Sequence, residues 1–206
     1  GYEVAGVYQN QQEIDNDPVA VENSLQPGDF KYVDRNGDGI LDDTDRTIIG
    51  SFLPDYTFGG NIGVNYKAFD LSVSFYGQTG NQILNRKRAE VIYVPNANMD
   101  ADLAINRWHG EGTSNSYPSS AGLRKAWNQR LNDFWVEDGD FFRIQNIQLG
   151  YTIKSSNLPQ TRFYFTAERP LTLFSYNGFT PEVSDGVDRQ AYPIPGVYTI
   201  GLNIKL

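Results

Sequence analysis

The sequence contains no cysteine and only one histidine, His109. The lack of cysteine excludes a disulfide framework and thiol chemistry, and one histidine is too few for a metal site built on several histidines. Basic residues are also scarce, because 17 Lys and Arg stand against 25 Asp and Glu and give a formal net charge of -8. This balance argues against nucleic acid as a partner, since its binding needs clustered lysine and arginine.

The 206 residues also contain no apolar run long enough for a membrane helix, and no signal peptide opens them. Both absences are expected if the chain is a piece of a longer protein. Glycine, with 20 residues, is abundant, and aromatic residues make up 14% of the chain. Aromatic residues and glycine in short alternating runs are typical of β structure with many turns.

Alternating apolar and polar residues predict antiparallel strands, because successive side chains of a strand point to opposite faces. The alternation is clearest over residues 57–67 and 69–79, where Ala68 alone separates the two runs. A hairpin with a tight turn is therefore predicted at 57–79. The same alternation predicts further strands over 141–153, 161–174 and 197–206.

Two irregularities are predicted in these later strands. Phe142 and Ile144 are out of phase with Ile147, which indicates a β-bulge near Asn146. Pro170 cannot donate to a sheet ladder, so the strand that contains it is expected to be irregular in its middle.

Residues 80–140 break the strand pattern. Helices are predicted over 96–108 and 121–131, and no strand is predicted between residues 80 and 140. A connection of this length is too long for a plain loop, so a functional or partner-facing role is expected. Near the start of the chain, another short helix is predicted to begin at Gln11 and to end before Pro18.

An acidic segment at 34–45 carries the spacing of a calcium-binding loop. Oxygen-bearing side chains occupy loop positions one, three, five, nine and twelve, a glycine occupies position six, and position seven offers a backbone carbonyl. Hard oxygen ligands at this spacing wrap a calcium ion, so calcium is the predicted cofactor. The predicted metal ligands are the side chains of Asp34, Asn36, Asp38, Asp42 and Asp45 and the carbonyl of Ile40.

An alternative interpretation of this segment is an Asx-rich surface turn without metal, since Asp, Asn and Gly are ordinary turn residues. The acidic residues at alternate positions, with a glycine at the sixth, favour the calcium-binding loop over a metal-free turn. A regulatory EF-hand needs a helix on each side, whereas residues 27–33 indicate a turn and then extended chain, and residues 46–50 are rich in β-branched side chains. The site is therefore predicted to be a structural clip and not a sensor.

Two architectures fit the predicted strands. In a soluble sandwich the apolar face packs on a second sheet, whereas in a membrane barrel it contacts lipid and the other face lines a wet lumen. The runs have about ten residues, as tilted membrane strands need, and the long connections, at 80–140 and 175–196, lie on one side. Periodicity alone leaves both architectures open.

Five segments, in order along essentially the whole chain, resemble the SusC/RagA-type TonB-dependent outer-membrane transporters of Bacteroidota. They are residues 27–50, 54–61 with the strand pair that follows, 137–152, 178–184, and 192–195 with the strand after them. Two positions depart from the family pattern. Leu206 stands where the family usually has an aromatic residue, which is expected to weaken the signal for assembly into the outer membrane. Residues 168–171 stand where the family usually has a polar Asn-Leu step, which predicts a locally distorted strand.

The resemblance implies an all-β fold: antiparallel strands from the C-terminal portion of a large outer-membrane β-barrel, with long, partly helical external loops. The fragment 1–206 then divides into an external loop region at 1–56, a hairpin at 57–79, a long loop at 80–140 and the last strands at 141–206. The resemblance also implies the outer membrane of a Gram-negative cell, a SusD-like surface lipoprotein as partner, TonB contacted by parts absent from this chain, and import of oligosaccharide or peptide.

No catalytic set stands out in the sequence, so a non-enzymatic function is predicted. Asp138 and Asp140 flank a glycine at a strand entry and are interpreted as turn acids in preference to an acid–base pair. Trp108, Trp127 and Trp135 could stack on sugars, although such residues are more often anchors of a loop core. The alternative function is a soluble, calcium-stabilised β module that binds glycan or a partner protein.

Overall fold

The computed structural model describes residues 1–91, 98–120, 126–154 and 159–205. The chain separates into two compact units, called here the loop unit and the sheet unit. The loop unit comprises Gly1–Ser51, Leu84–Glu137 and Val187–Gln190, and the sheet unit comprises Phe52–Ile83, Asp138–Gly186 and Ala191–Leu206.

Strands account for most of the regular structure, and the helices are short. The strands are β1 (Val4–Val7), β2 (Phe30–Tyr32), β3 (Tyr56–Tyr66), β4 (Phe69–Thr79), β5 (Gln82–Leu84), β6 (Val136–Asp138), β7 (Phe141–Ile153), β8 (Gln160–Phe174) and β9 (Val197–Lys205). The helices are α1 (Gln11–Asp15), α2 (Pro18–Glu22), α3 (Arg86–Val91) and α4 (Ala101–Asn106), with 3-10 turns at Asp43–Asp45 and Asp133–Trp135.

The sheet unit is built on one antiparallel sheet with the order β3-β4-β7-β8-β9. Its strands are those that the alternating sequence pattern predicts. A two-residue turn joins β3 to β4, and Lys67 in that turn takes a left-handed φ of 55°. The register pairs Tyr66 with Phe69 beside the turn and Tyr56 with Thr79 at the far end. The predicted hairpin is therefore confirmed.

The sheet is irregular at the two positions where the sequence pattern is broken. The register between β4 and β7 shifts between Ser74 and Phe75, which leaves Gln145 of β7 as an extra residue. The register between β7 and β8 shifts at the same place, where two residues of β8 stand opposite Gln145. On the facing strand Arg169 has a left-handed φ of 49°, and Pro170, which has no amide to donate, follows it. The bulge near Asn146 and the irregular middle of β8 are both confirmed.

The loop unit packs around buried aromatic side chains. Tyr8, Phe30 and Tyr32 are buried, and the ring centroids of Tyr32 and Trp127 lie 5.3 Å apart. The Phe30 amide donates to Asn128 Oδ1 at 2.6 Å, and Trp127 Nε1 donates to the Phe30 carbonyl at 2.8 Å. The core thus joins the beginning of the chain to residues nearly a hundred positions later.

The first two helices begin where the sequence supplies capping side chains. Asn10 Oδ1 accepts the Glu13 amide proton at 3.0 Å, and Asp17 Oδ1 accepts the Val19 amide proton at 3.0 Å. The prediction that α1 ends before Pro18 is confirmed. This proline then opens α2, because a missing amide costs nothing in the first turn of a helix.

The region 80–140 differs from its prediction in several places. The expectation of no strands is wrong, since β5 and β6 pair with each other, and α3 is also unexpected. The helix predicted at 96–108 shortens to α4 in the described residues, which omit 96–97. In the helix predicted at 121–131, residues 121–125 lie outside the described range and 126–129 form turns. None of the helices in the described part of the chain has the length and apolar character needed to cross a membrane.

Candidate functional site

The acidic loop follows β2, and backbone amides organise its first half. Asp34 Oδ1 accepts the Gly37 amide proton at 2.7 Å, and Asp34 Oδ2 accepts the Gly39 amide proton at 2.8 Å. Gly37 and Gly39 have left-handed φ values of 73° and 81°, a conformation that favours glycine. The sharp turn predicted at loop position six is therefore present.

The other predicted side-chain ligands each accept an amide proton from two residues ahead. Asn36 Oδ1 accepts from the Asp38 amide at 3.0 Å, and Asp38 Oδ1 accepts from the Ile40 amide at 2.8 Å. Asp42 Oδ1 accepts from both the amide and the hydroxyl of Thr44 at 2.7 Å. These two hydrogen bonds from Thr44 lower the pKa of Asp42.

Asp45 differs from these exposed acids because it is fully buried. Its Oδ1 accepts the Arg35 amide proton at 2.8 Å, and its Oδ2 accepts the Asp42 amide proton at 2.9 Å. The carboxylate therefore ties the second loop position to the ninth and closes the loop through hydrogen bonds.

The predicted metal ligands of the acidic loop are chemically suited to a hard cation. The predicted ligands are all oxygen atoms, and an oxygen that accepts one hydrogen bond keeps a second lone pair. In this structure the loop acids accept backbone amide protons, and across the described residues no three or more His, Cys, Asp or Glu side chains are grouped to hold a metal ion. The loop thus contains the predicted ligand residues at the predicted spacing, and hydrogen bonds to backbone amides determine how these residues are arranged.

The five-stranded sheet has one apolar face whose side chains are largely exposed. Paired residues across the strands share this face: Tyr66, Phe69, Tyr151, Phe163 and Leu202 form one row, and Val64, Leu71, Leu149, Phe165 and Ile200 form the next. Ile62 is 58% exposed and Ile200 is 84% exposed. The row nearest the β3–β4 turn is mostly aromatic, and its Phe69 and Tyr151 rings lie 4.7 Å apart.

The opposite face of the sheet carries polar and charged side chains. Arg162 Nε donates to Asp70 Oδ1 at 3.0 Å, and a Cβ atom on Gly150 would lie 2.6 Å from Arg162 Nε. Glycine at 150 therefore leaves the space that this ion pair occupies. A second ion pair joins the buried Arg143 to Glu182.

The remaining candidate residues take structural positions. Trp127 and Trp135 are buried, and Trp108 Nε1 donates to a glutamine side chain at 3.2 Å. Asp138 Oδ1 accepts the Asp140 amide proton at 3.1 Å, and Asp140 Oδ1 accepts the amide proton of Gly80, which follows β4, at 2.7 Å. These two acids therefore stabilise turns.

One charged cluster is not predicted by the sequence analysis. Arg88 Nη1 lies 3.2 Å from Glu137 Oε1, and Arg88 also pairs with Asp102. The Tyr117 hydroxyl donates to Asp102 at 3.0 Å. Burial acts to raise the pKa of Asp102, but hydrogen bonds from Tyr117 and Arg88 outweigh it and lower the pKa. No sequence spacing signals this cluster, because its members come from separate segments.

No protein-family model matches the sequence. Over 222 residues the chain is 32% identical to the TonB-dependent receptor P3 of Formosa agariphila, and the match covers 100% of the chain and 22% of that receptor. The chain is a relative of the TonB-dependent receptors. The receptor SusC of Bacteroides thetaiotaomicron is 26% identical over 211 residues, which are 100% of the chain and 20% of SusC. The chain spans about a fifth of the length of these curated relatives.

Solved transporter structures show the same fold. The RagAB peptide importer in its closed-closed state matches 98% of the chain and 22% of its own chain, with a TM-score of 0.73 and 22% identity. Its open-open state matches with a TM-score of 0.71 and 21% identity. The predicted resemblance to SusC/RagA-type TonB-dependent receptors is confirmed, as is the fold of antiparallel strands from part of a large barrel with partly helical loops.

Proposed function

We propose that the chain forms part of the barrel wall and the external loops of a non-enzymatic outer-membrane importer of nutrients. The observation that carries the proposal is the five-stranded sheet, which has one exposed apolar face and one polar face. A contiguous apolar surface marks an interaction site, and in a bilayer this face contacts lipid while the polar face lines the lumen. The whole-chain likeness to TonB-dependent receptors supports the same function.

The strand lengths support this placement. β3 and β4 each have 11 residues, and a tilted membrane strand needs about 9–11 residues. The aromatic row that contains Tyr66 and Phe69 lies beside the β3–β4 turn, and aromatic girdles mark the boundary between lipid and water in such barrels. The short turn would then lie on the periplasmic side, and the long connections would be external.

The proposed importer works with TonB and with a SusD-like surface lipoprotein, and it carries oligosaccharide or peptide. Peptide is supported by the RagAB structures, which are described as a peptide importer. The parts of the importer that would contact TonB are outside this chain.

The acidic loop is proposed to be a structural calcium clip in an external loop. Its ligands are the side chains of Asp34, Asn36, Asp38 and Asp42, the carbonyl of Ile40, and Asp45 at the twelfth position. Bound calcium would supply positive charge that joins acids from both halves of the loop. The left-handed φ of Gly39 supports the proposal, because loops with this ligand spacing turn sharply at the sixth position.

The placement of the sheet is tested by spin labels at two neighbouring residues of β7. Leu149→Cys and Gln148→Cys are introduced separately into the receptor that contains this chain, labelled with a nitroxide, and reconstituted in liposomes. The label at 149 is expected to be relaxed mainly by oxygen, which concentrates in lipid, and the label at 148 mainly by a water-soluble nickel chelate. Equal preference of both labels for the nickel chelate would favour the soluble β module instead. Uptake of labelled peptide and oligosaccharide by cells then identifies the cargo.

A further inference from the structure

A cavity of about 340 Å³ lies within the loop unit. Its volume is within the range of small-molecule sites, roughly 300–1,000 Å³. Its lining combines the guanidinium-bearing Arg86, Arg130 and Arg189 with the apolar Leu84, Leu131 and Trp135. Among the described residues, no aspartate or glutamate lines it. The cavity therefore offers an apolar wall and three positive charges.

Two of the arginines are held beside the cavity by backbone pairing. The Lys87 amide donates to the Asp188 carbonyl at 2.8 Å, and the Asp188 amide donates to the Leu84 carbonyl at 3.0 Å. Arg86 directly precedes Lys87, and Arg189 directly follows Asp188, so both arginines adjoin these hydrogen bonds. Their backbones are thus fixed, although the two residues are far apart in sequence.

The third arginine is positioned by aromatic rings. The Arg130 guanidinium carbon lies 4.6 Å from the Trp127 ring centroid and 5.4 Å from the Tyr2 ring centroid. Its Nη1 donates to the Leu41 carbonyl at 3.4 Å. Stacking on aromatic faces orients a guanidinium without neutralising its charge.

Trp135 also lines the cavity and is 3% exposed. Its indole belongs to the apolar wall, so a ligand that enters the cavity is expected to change the fluorescence of this tryptophan.

We propose that this cavity binds the carboxylate of a small organic anion. The planar fork of an arginine matches the two oxygens of a carboxylate, and the apolar wall suits the body of an organic ligand better than a bare inorganic ion. Arg86 and Arg189 also make other contacts, but the five N–H donors of a guanidinium allow it to serve more than one acceptor. The carboxylate could be the C-terminus of a short peptide or the acid group of a uronic acid.

The test is calorimetric titration of the detergent-solubilised receptor that contains this chain. The probes are N-acetyl-alanyl-phenylalanine and its C-terminal amide, and galacturonic acid and its methyl ester. One free acid is expected to bind at least tenfold more tightly than its neutral counterpart, and the acid that binds identifies the source of the carboxylate. If neither acid binds, or if acid and neutral probe bind equally, the proposal is wrong. Because binding is measured in micelles, its outcome is independent of whether the receptor imports anything.

Variants then locate the site. The double variant Arg86→Gln/Arg189→Gln is expected to weaken binding of the acid at least tenfold. The control is Arg107→Gln, which removes an arginine of the same unit that does not line the cavity and should leave binding unchanged. Ligand-induced change in tryptophan fluorescence should be lost in Trp135→Phe. Tight binding that survives the double variant would overturn the assignment.

Discussion

The carboxylate of Asp45 accepts the amide proton of Arg35, ten positions earlier in the chain, at 2.8 Å. The same buried carboxylate accepts the Asp42 amide proton with its other oxygen. This acid therefore joins two positions of the loop backbone that are seven residues apart, and its burial separates it from the exposed acids of the loop.

Replacing Asp45 by alanine is expected to destabilise the protein even in the presence of chelator. Two amides lose their acceptor, and a hydrogen bond to a charged group contributes about 1.5–3 kcal/mol. The measurement is urea unfolding of the receptor with EDTA, for the unmodified protein and the variant. A loss of stability confined to calcium-containing buffer would mean that Asp45 is only a metal ligand.

Calcium is expected to raise the melting temperature of the unmodified protein, and Asp38→Ala should abolish that shift. A ligand that binds only the folded state stabilises it, by about 2.7 kcal/mol at a concentration of 100 Kd. The matched control is Asp43→Ala, since Asp43 is an acid of the same loop that is 82% exposed and is not a predicted ligand. Equal melting temperatures with calcium and with EDTA in the unmodified protein would eliminate the calcium clip.

Arginine at position 149 is expected to impair the membrane-inserted fold, whereas arginine at position 148 should be tolerated. Leu149 lies on the apolar face and Gln148 on the polar face of the same strand. A charge near the middle of a bilayer costs about 2–4 kcal/mol on the lipid face of a barrel. Heat-modifiable mobility on gels measures the folded fraction of each variant in outer membranes, and similar folded fractions would contradict a lipid-facing position.

Alanine at Gly77 is expected to destabilise the sheet by about 1–3 kcal/mol, the usual cost of overpacking. An added Cβ would lie 2.9 Å from the Phe141 carbonyl oxygen and 2.8 Å from Phe58 Cε2. A backbone oxygen cannot move aside as a flexible side chain does. Gly63→Ala is the control, because a Cβ there meets nothing within 4 Å. Urea unfolding in detergent should show a loss only for the first variant.

Asp102 should stabilise the loop unit at neutral pH and lose this effect in acid. Its folded pKa is lowered, so its contribution is present above the ordinary aspartate pKa, near 4, and fades as the pH falls through the folded value. Asp102→Asn should therefore be less stable than the unmodified protein at pH 7, and the difference should shrink towards pH 3. A difference that stays constant over this range would exclude the carboxylate charge as its cause.

The strands could be predicted from the sequence because their signal is local. Alternation over 69–79 predicts β4, and the change of phase after Ile144 predicts the bulge in β7. In both cases neighbouring residues report which face of the sheet is apolar, so no knowledge of distant contacts is needed.

The loop unit could not be predicted in this way, because distant contacts define it. β5 and β6, at the two ends of the stretch that the loop unit takes from the middle of the chain, have three residues each, too few for a periodic signal. The cavity brings together Arg86, Arg130 and Arg189, whose spacing in sequence carries no information. The acidic loop lies between these cases, since its spacing predicts ligands but does not reveal that Asp45 is bound to backbone amides.

The division of the loop unit among three stretches of chain has a consequence for the order of folding. Its core hydrogen bond from Phe30 to Asn128 spans 98 positions, and its last stretch is Val187–Gln190. Contacts of such large sequence separation slow folding, because the chain entropy of closing each long loop is lost before the contact forms. Synthesis must also pass residue 190 before the unit is complete. Amide protection in the Phe30 region should therefore appear late, long after that region has been synthesised.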